Sequence, residues 1–519
     1  MSASESHMDR SDFLKAAGVV AVGGMTGVSP ALAGKRRVAR RVTTVRYAMS
    51  GKVSSADTAD PAFNTSQHDG RLISAVYEQL SQYDDSLRAR PSLAASWEPN
   101  AKADVWTFRL RQGVRWHDGD RFTARDVVYS FRRLLDKKTG SPGAGGLSFL
   151  DPDGIRAVGD RAVRFSLREP NADLPLSLIT RQSYIVQAGS SSDDLRRNAN
   201  GTGAFRVDDF TPGESPTIFV KNNRYWRSGF PKADVLRIIS ISEAAARVAA
   251  LKRGQVHVIE DPPGTELASL KRGATRIVVQ RKGNMEVIAM QMDVPPFNDN
   301  RVRLAMKYAM DRQKVLRLVA QGNGILVNDV PIASFLQYGP PGRPRKHDVA
   351  RAKALLKQAG HDDGLKVSLA VSDVQARFIE FATVYKAMAA DADIDVELDI
   401  RPGDTYWDNV WLKTPMFVSA WIARPTEAML ALLFVSKADW NETHWRRTQW
   451  DKSFALARST VDPKKRARIY RSLLGTIVTQ GGYLVPYMVN TVDATRSNVS
   501  GWKPSGTPYA NFAPIELTS

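Results

Sequence analysis

Between residues 350 and 400 the chain switches repeatedly between two hydrophobic periods. Residues from Ala350 to Ala359 carry apolar side chains at helical spacing and stop at Gly360. Leu365-Lys366-Val367-Ser368-Leu369-Ala370-Val371 then alternates, as a strand with one buried face does. A second helical stretch, Phe378 to Ala390, leads into a second strand, Asp395-Val396-Glu397-Leu398-Asp399-Ile400. Strands separated by helices have room for a crossover, so this order predicts βαβ units and a mainly parallel sheet in an α/β fold.

The same grammar holds upstream. Thr43-Thr44-Val45-Arg46-Tyr47-Ala48, Val105 to Arg111 and Ala162 to Leu167 alternate as strands. Thr123 opens a helix whose apolar face is Val127, Val128, Phe131, Leu134 and Leu135. The spacing from Arg301 to Val319 predicts one long amphipathic helix, and Gly140 to Gly146 is a surface loop. A chain of 519 residues has material for two to four domains at ~100–200 residues each.

Residues 1–33 read as an export signal. Arg10 and Lys15 precede a short apolar run, Ala16 to Met25, and Ala31-Leu32-Ala33 is an A-x-A cleavage site. The apolar run is too short to span a bilayer. Arg10-Ser11-Asp12-Phe13-Leu14-Lys15 is similar to a twin-arginine signal with Ser11 in place of the second arginine, which leaves the general secretory route open. Residues 34–42 form a basic, flexible lead. There is no cysteine, which excludes disulfides, thiolate metal sites and a lipid-modified N-terminal Cys.

The chain has 73 Lys+Arg against 54 Asp+Glu, a net charge of +19. Such an excess suits nucleic acid, anionic membranes, acidic ligands or simply a basic surface; an exported protein seldom meets nucleic acid, so no nucleic-acid partner is expected. The seven histidines form no H-E-x-x-H or comparable ligand pair, and there is no G-x-S-x-G elbow and no P-loop. No catalytic residue, metal or cofactor is therefore assigned. The chain has eleven tryptophans, and several cluster in one region: Trp407, Trp411, Trp421, Trp440, Trp445 and Trp450. Packing in a core is their commonest use, while Trp440-Asn441 and His444-Trp445 sit in the polar, turn-rich surroundings of a small-molecule cleft.

Several long strings resemble the extracytoplasmic solute-binding proteins of ABC importers, in the family 5 class that includes dipeptide- and oligopeptide-binding proteins. They are Arg90 to Glu98, Trp106 to Gly119 and Phe122 to Phe131. Gly201-Thr202-Gly203-Ala204-Phe205, Asn222 to Trp226, Phe297 to Arg303 and Ala309 to Arg312 follow in family order. Ala204 departs from the family, which usually has Pro there. The resemblance implies a two-lobed periplasmic-binding-protein fold with a hinge. The first lobe would span 43–284, with an extra subdomain at about 84–200, and the second 285–484. Residues 485–519 would return to the first lobe. The crossings are expected near Met285–Met292 and Leu484–Asn490, where the sequence is apolar and extended. His117 and Asp118 would lie in a turn away from the ligand.

The resemblance also implies ligand contacts. In peptide-binding relatives an Asp shortly after a Trp of the second lobe holds the ligand's ammonium. Here Trp421 is present, Arg424 stands about where that Asp would be, and Glu427 is the nearest carboxylate. A guanidinium in that place favours a carboxylate, unless it pairs internally with Glu427. Asn441 and Trp445 resemble another cleft-lining segment. Tyr406 and Trp407, and His68 and Asp69 on the first lobe, complete the candidates. The implied function is a periplasmic, soluble, monomeric solute-binding component, not a lipoprotein and not an enzyme. It would capture a peptide or related small polar solute, carboxylate-bearing if Arg424 faces it, and deliver it to a permease and ATPase of the inner membrane. Family members also take sugars, opines and nickel chelates. The alternatives are an exported enzyme acting on peptides, which would need a nucleophile and base, and a basic envelope- or polyanion-binding protein.

Overall fold

A computed structural model describes residues 42–197, 199–281, 283–505 and 509–518. The expected leader and basic lead fall outside this range, apart from Val42. Residues from Thr43 onward form one compact unit.

Three sheets carry the architecture. The first has seven strands, in the order Thr275–Gln280, Thr491–Arg496, Val258–Glu260, Thr44–Met49, Val235–Ser240, Thr217–Lys221 and Phe205–Asp209. The second has five: Ile394–Ile400, Leu365–Val371, Met416–Ile422, Asn284–Met290 and Tyr483–Leu484. A four-stranded antiparallel sheet is built from Ala94–Pro99, Val105–Leu110, Ala162–Leu167 and Leu150–Ala157. The chain passes from the seven-stranded to the five-stranded sheet between Gln280 and Asn284. It passes back between Leu484 and Thr491. Two lobes thus share two connecting segments.

The expectation of a mainly parallel sheet is corrected. In the five-stranded sheet Leu365–Val371 is parallel to both its neighbours, as the βαβ reading requires. Asn284–Met290, however, runs antiparallel to Met416–Ile422 and to Tyr483–Leu484. In the seven-stranded sheet only Thr44–Met49 makes parallel pairs, with Val235–Ser240 and Val258–Glu260. The seven-stranded sheet is mixed because Phe205–Asp209, Thr217–Lys221 and Val235–Ser240 form an antiparallel meander and Thr491–Arg496, returning from the other lobe, pairs antiparallel with two distant strands. In the five-stranded sheet the entering strand Asn284–Met290 does the same.

Local patterns did fix most elements. Trp106, Phe108 and Leu110 of one strand face inward. They meet Val127, Phe131 and Leu134 of helix Ala124–Leu135 in a separate core with Trp116 and Phe165. That helix starts where Thr123 N–H donates to Asp126 Oδ2 at 2.7 Å, closing a capping box. Gly360, with φ +87°, follows helix Val349–Gln358, in the left-handed backbone that favours glycine after a helix.

The single helix expected from Arg301 to Val319 is two, Asn300–Tyr308 and Arg312–Val319. Asp311 breaks it by accepting the Lys314 N–H at 3.0 Å as a new N-cap. Arg312 then turns inward, 2% exposed, to pair with buried Asp329. An interior charge pair sets the break, and apolar spacing carries no signal of it.

Candidate functional site

A large cavity lies where the two connecting segments meet the two lobes, and its volume is about 1750 Å³. That exceeds the roughly 300–1,000 Å³ common for small-molecule pockets, so a peptide-sized solute fits. Both lobes line it: Gln67, Arg71, Arg181, Glu260 and Asp493 from the first, Arg377, Arg424 and Glu427 from the second.

The first-lobe wall begins on helix Gln67–Val76. Gln67 and Arg71 are one turn apart and share a face, which turns to the cavity. Glu260 organises them. Its carboxylate accepts Arg71 Nε at 2.7 Å, Gln67 Nε2 at 2.6 Å and the Tyr47 hydroxyl. Asp493 lies directly opposite Glu260 on the neighbouring strand and accepts Trp502 Nε1 at 2.9 Å. Burial beside a second carboxylate pushes Asp493 far above the usual carboxylate range. In the sequence Gln67 and Arg71 carry a single signal of a shared role, their i, i+4 spacing.

His68 and Asp69 sit on the same helix but away from the cavity, which corrects the expectation that they border a ligand. His68 is 1% exposed, with Nε2 3.1 Å from Thr217 Oγ1 and Nδ1 3.1 Å from Asp57. Asp69 caps its own helix, accepting the Ser66 and Thr58 backbone N–H groups. A helix turns each successive residue by 100°, which points His68 away from the face of Gln67 and Arg71.

The second-lobe candidates divide in the same way. Arg424 and Glu427 line the cavity, while Trp421, Asn441, Trp445, Tyr406 and Trp407 do not. Tyr406 is fully buried and its hydroxyl bridges Val418 O at 2.8 Å and Ala370 O at 3.1 Å. Asn441 clamps a turn: its Nδ2 donates to Trp445 O at 2.6 Å and its Oδ1 accepts Trp445 N–H at 2.9 Å. Trp445 is fully buried. Trp407 packs edge-on against Phe378 and Trp411 at the surface. These positions serve the core and outer face of the lobe. The polar residues around them satisfy backbone and indole groups.

Trp421 points its Nε1 at Glu442, 3.0 Å away. Glu442 also accepts Ser419 Oγ at 2.6 Å, Trp411 Nε1 at 2.6 Å and Tyr483 OH at 2.7 Å. It is wholly buried, and burial raises its pKa. This carboxylate anchors three aromatic side chains behind the cleft wall; in the sequence it is one glutamate in a polar turn.

Arg424 is half-buried, with its guanidinium 5.7 Å from the centre of the Trp421 ring. The internal pair with Glu427 does not form. Glu427 is 3.3 Å from Arg458 Nε and 3.4 Å from Ser177 Oγ. Arg424 has no carboxylate partner among the described residues, and burial lowers its pKa. Arg377, by contrast, is held by Glu286 at 2.6 Å.

His117, in the subdomain, is bound to scaffold. Its Nε2 lies 3.0 Å from Gly203 O and its Nδ1 accepts Gly201 N–H at 3.2 Å. Burial depresses its pKa to about 4.

Comparison with known proteins adds to this geometry. The family model described as bacterial extracellular solute-binding proteins, family 5, middle region, matches residues 88–442. A di/tripeptide-binding protein 2 of Pseudomonas aeruginosa is 26% identical over 497 residues, spanning 89% of this chain and 91% of the relative. Among solved structures, the ABC transporter-associated periplasmic binding protein DppA of Helicobacter pylori, in complex with the peptide STSA, is similar. It superposes with a TM-score of 0.72 at 23% identity, over 92% of this chain and 98% of that one. HbpA2 of Haemophilus parasuis gives a TM-score of 0.82 at 21% identity, over 92% and 100%.

Proposed function

The chain belongs to the bacterial extracellular solute-binding proteins of family 5, and on that premise we propose that it captures a peptide or related small polar solute in the cleft and hands it to an inner-membrane permease. One observation carries the reading: a cavity of about 1750 Å³ bounded by side chains of both lobes. A solute held there contacts both lobes at once, so its binding energy favours the closed arrangement over the open one. Relatives named for di- and tripeptides support a peptide as the solute. Arg424 supports a carboxylate on it, since a half-buried guanidinium gains most from a bidentate acid.

The protein works outside the cytoplasm in this reading. It is exported by the leader, cleaved after Ala33 and released without a lipid anchor. Among the described residues no helix is long and apolar enough to cross a membrane. Capture needs no covalent chemistry, and apart from Arg424 the cleft groups described above are engaged in ion pairs and hydrogen bonds. Native mass spectrometry of protein recovered from the periplasm without unfolding tests the reading. A bound peptide or peptide-like acid released on activation is the expected result. Turnover of a peptide library by the purified protein would overturn it in favour of an exported enzyme.

A further inference from the structure

The cleft has an imbalance of charge at one end. Arg71 is neutralised by Glu260, Arg377 by Glu286, and Arg458 by Glu427 and Glu169. Arg168 and Lys271 also line the cavity but are exposed, which leaves two half-buried guanidiniums on its wall, Arg181 from the first lobe and Arg424 from the second. Arg181 donates to the backbone carbonyl of Thr65. The carboxylate that acts on it, Asp69, is already taken up by the N–H groups of Thr58 and Ser66. Burial lowers the pKa of both arginines, and the charge of Arg181 lowers that of Arg424 further.

Both cations line the same cavity as Tyr83 and Tyr509. Both act electrostatically on the Tyr509 phenol. Tyr509 packs edge-on against Tyr83 with ring centres 5.8 Å apart. The hydroxyls of Tyr83 and Tyr509 both donate to Ile179 O, at 3.2 and 3.3 Å, so the rings are fixed. Like charges brought together from opposite lobes in a partly dehydrated cleft repel. Closure of the empty protein works against that repulsion, and an anion between the two reverses its sign.

We propose that Arg181 and Arg424 are the two halves of a clamp, one from each lobe, for a doubly negative head group of the solute, with Tyr83 and Tyr509 as its floor. Two uncompensated positive charges match a dicarboxylate end, such as a C-terminal acidic residue, or a phosphoryl group. Both present several acceptor oxygens to planar guanidiniums. A single carboxylate leaves one cation uncompensated. The inference rests on the reading that solutes bind between the lobes, and it narrows that reading to acidic solutes.

The test uses small anions, so it does not depend on knowing the solute. Glutarate, inorganic phosphate, butyrate and glutaramide are titrated at constant ionic strength into solute-free protein while its melting temperature is followed. A species that binds only the folded state raises that temperature. Glutarate or phosphate should do so, and butyrate and glutaramide should not. The response to glutarate alone assigns a dicarboxylate head, and the response to phosphate alone a phosphoryl one. Arg181→Ala and Arg424→Ala should each weaken the dianion at least tenfold, and Arg424→Lys should keep part of the affinity. The empty Arg424→Ala protein should melt no lower than the wild type, because a repulsion has been removed. Equal responses to butyrate and glutarate, or wild-type affinity in both alanine variants, would overturn the clamp. If dianions bind as stated while Ala-Ala and Ala-Glu do not, the clamp stands and the peptide reading falls.

Discussion

His117 shows what single residues do in this molecule. A histidine followed by an aspartate invites a catalytic reading, yet both ring nitrogens are engaged by the backbone of Gly201 and Gly203. Gly201 N–H must donate to Nδ1, so the ring is held neutral with its proton on Nε2. Its pKa falls from 6.5 to about 4 on folding because the charged form is desolvated. The unfolded chain therefore binds more protons than the folded one between these values. The contribution of His117 is complete above pH 6.5 and is lost as pH falls towards 4. The loss is at most about 3.5 kcal/mol at ~1.4 kcal/mol per pH unit. Urea unfolding at pH 7 and pH 5 should show this as a drop in stability. His117→Asn should be less stable at pH 7 and show a shallower drop. An unchanged pH slope in the variant would assign the acid sensitivity to other groups.

Glu442 is a residue of the opposite kind, silent in sequence and central in the fold. Four side-chain donors converge on it. In Glu442→Gln the amide nitrogen would meet N–H or O–H donors, leaving at least one buried group unpaired. Such a group costs about 1–3 kcal/mol, so a matching loss of stability is expected in denaturant titration. Tryptophan fluorescence should change with it, since Trp411 and Trp421 lose their common acceptor.

At the scale of elements, the Gly201-Thr202-Gly203 string illustrates a motif with a packing cause. A Cβ on Gly201 would lie 1.9 Å from the carbonyl oxygen of Val76. Gly203 N–H donates to that same oxygen at 2.8 Å. The segment is thus pressed against the end of helix Gln67–Val76, whose other end offers Gln67 and Arg71 to the cleft. Gly201→Ala should cost about 1–3 kcal/mol or more through overpacking. It should also weaken solute binding, because the helix must shift to make room. A variant that melts like the wild type would show that the contact yields without cost. Periodicity located the helices and strands because it reports which face is buried. It missed the break at Asp311, where a cap and the buried Arg312–Asp329 pair act, and it could not give the sense of strands that pair across the whole chain.

For the whole molecule, two lobes joined by two short segments make closure the expected response to solute. Small-angle scattering of the solute-free protein should give a larger radius of gyration than the same protein saturated with the solute it carries from the periplasm. Identical profiles at saturation would argue against a hinge. The two passages, after Gln280 and after Leu484, hold few residues, and a hinge closure is expected to bend there.

The sequence by itself determined the α/β class, most element positions, the family-specific strings and the presence of Arg424 where an acid was expected. These are local properties, written in spacing and residue type. Tertiary structure alone decided which polar residues share a space. It turned His68 and Asp69 inward and gave Tyr406, Asn441 and Trp445 to the packing of the second lobe. It assigned Glu427 to Arg458 and set Arg181 on the same cavity wall as Arg424, from positions 243 residues apart in the chain. A side chain's partner depends on where distant segments are brought by the burial of apolar faces, and that information is distributed over the whole core rather than stored beside the residue.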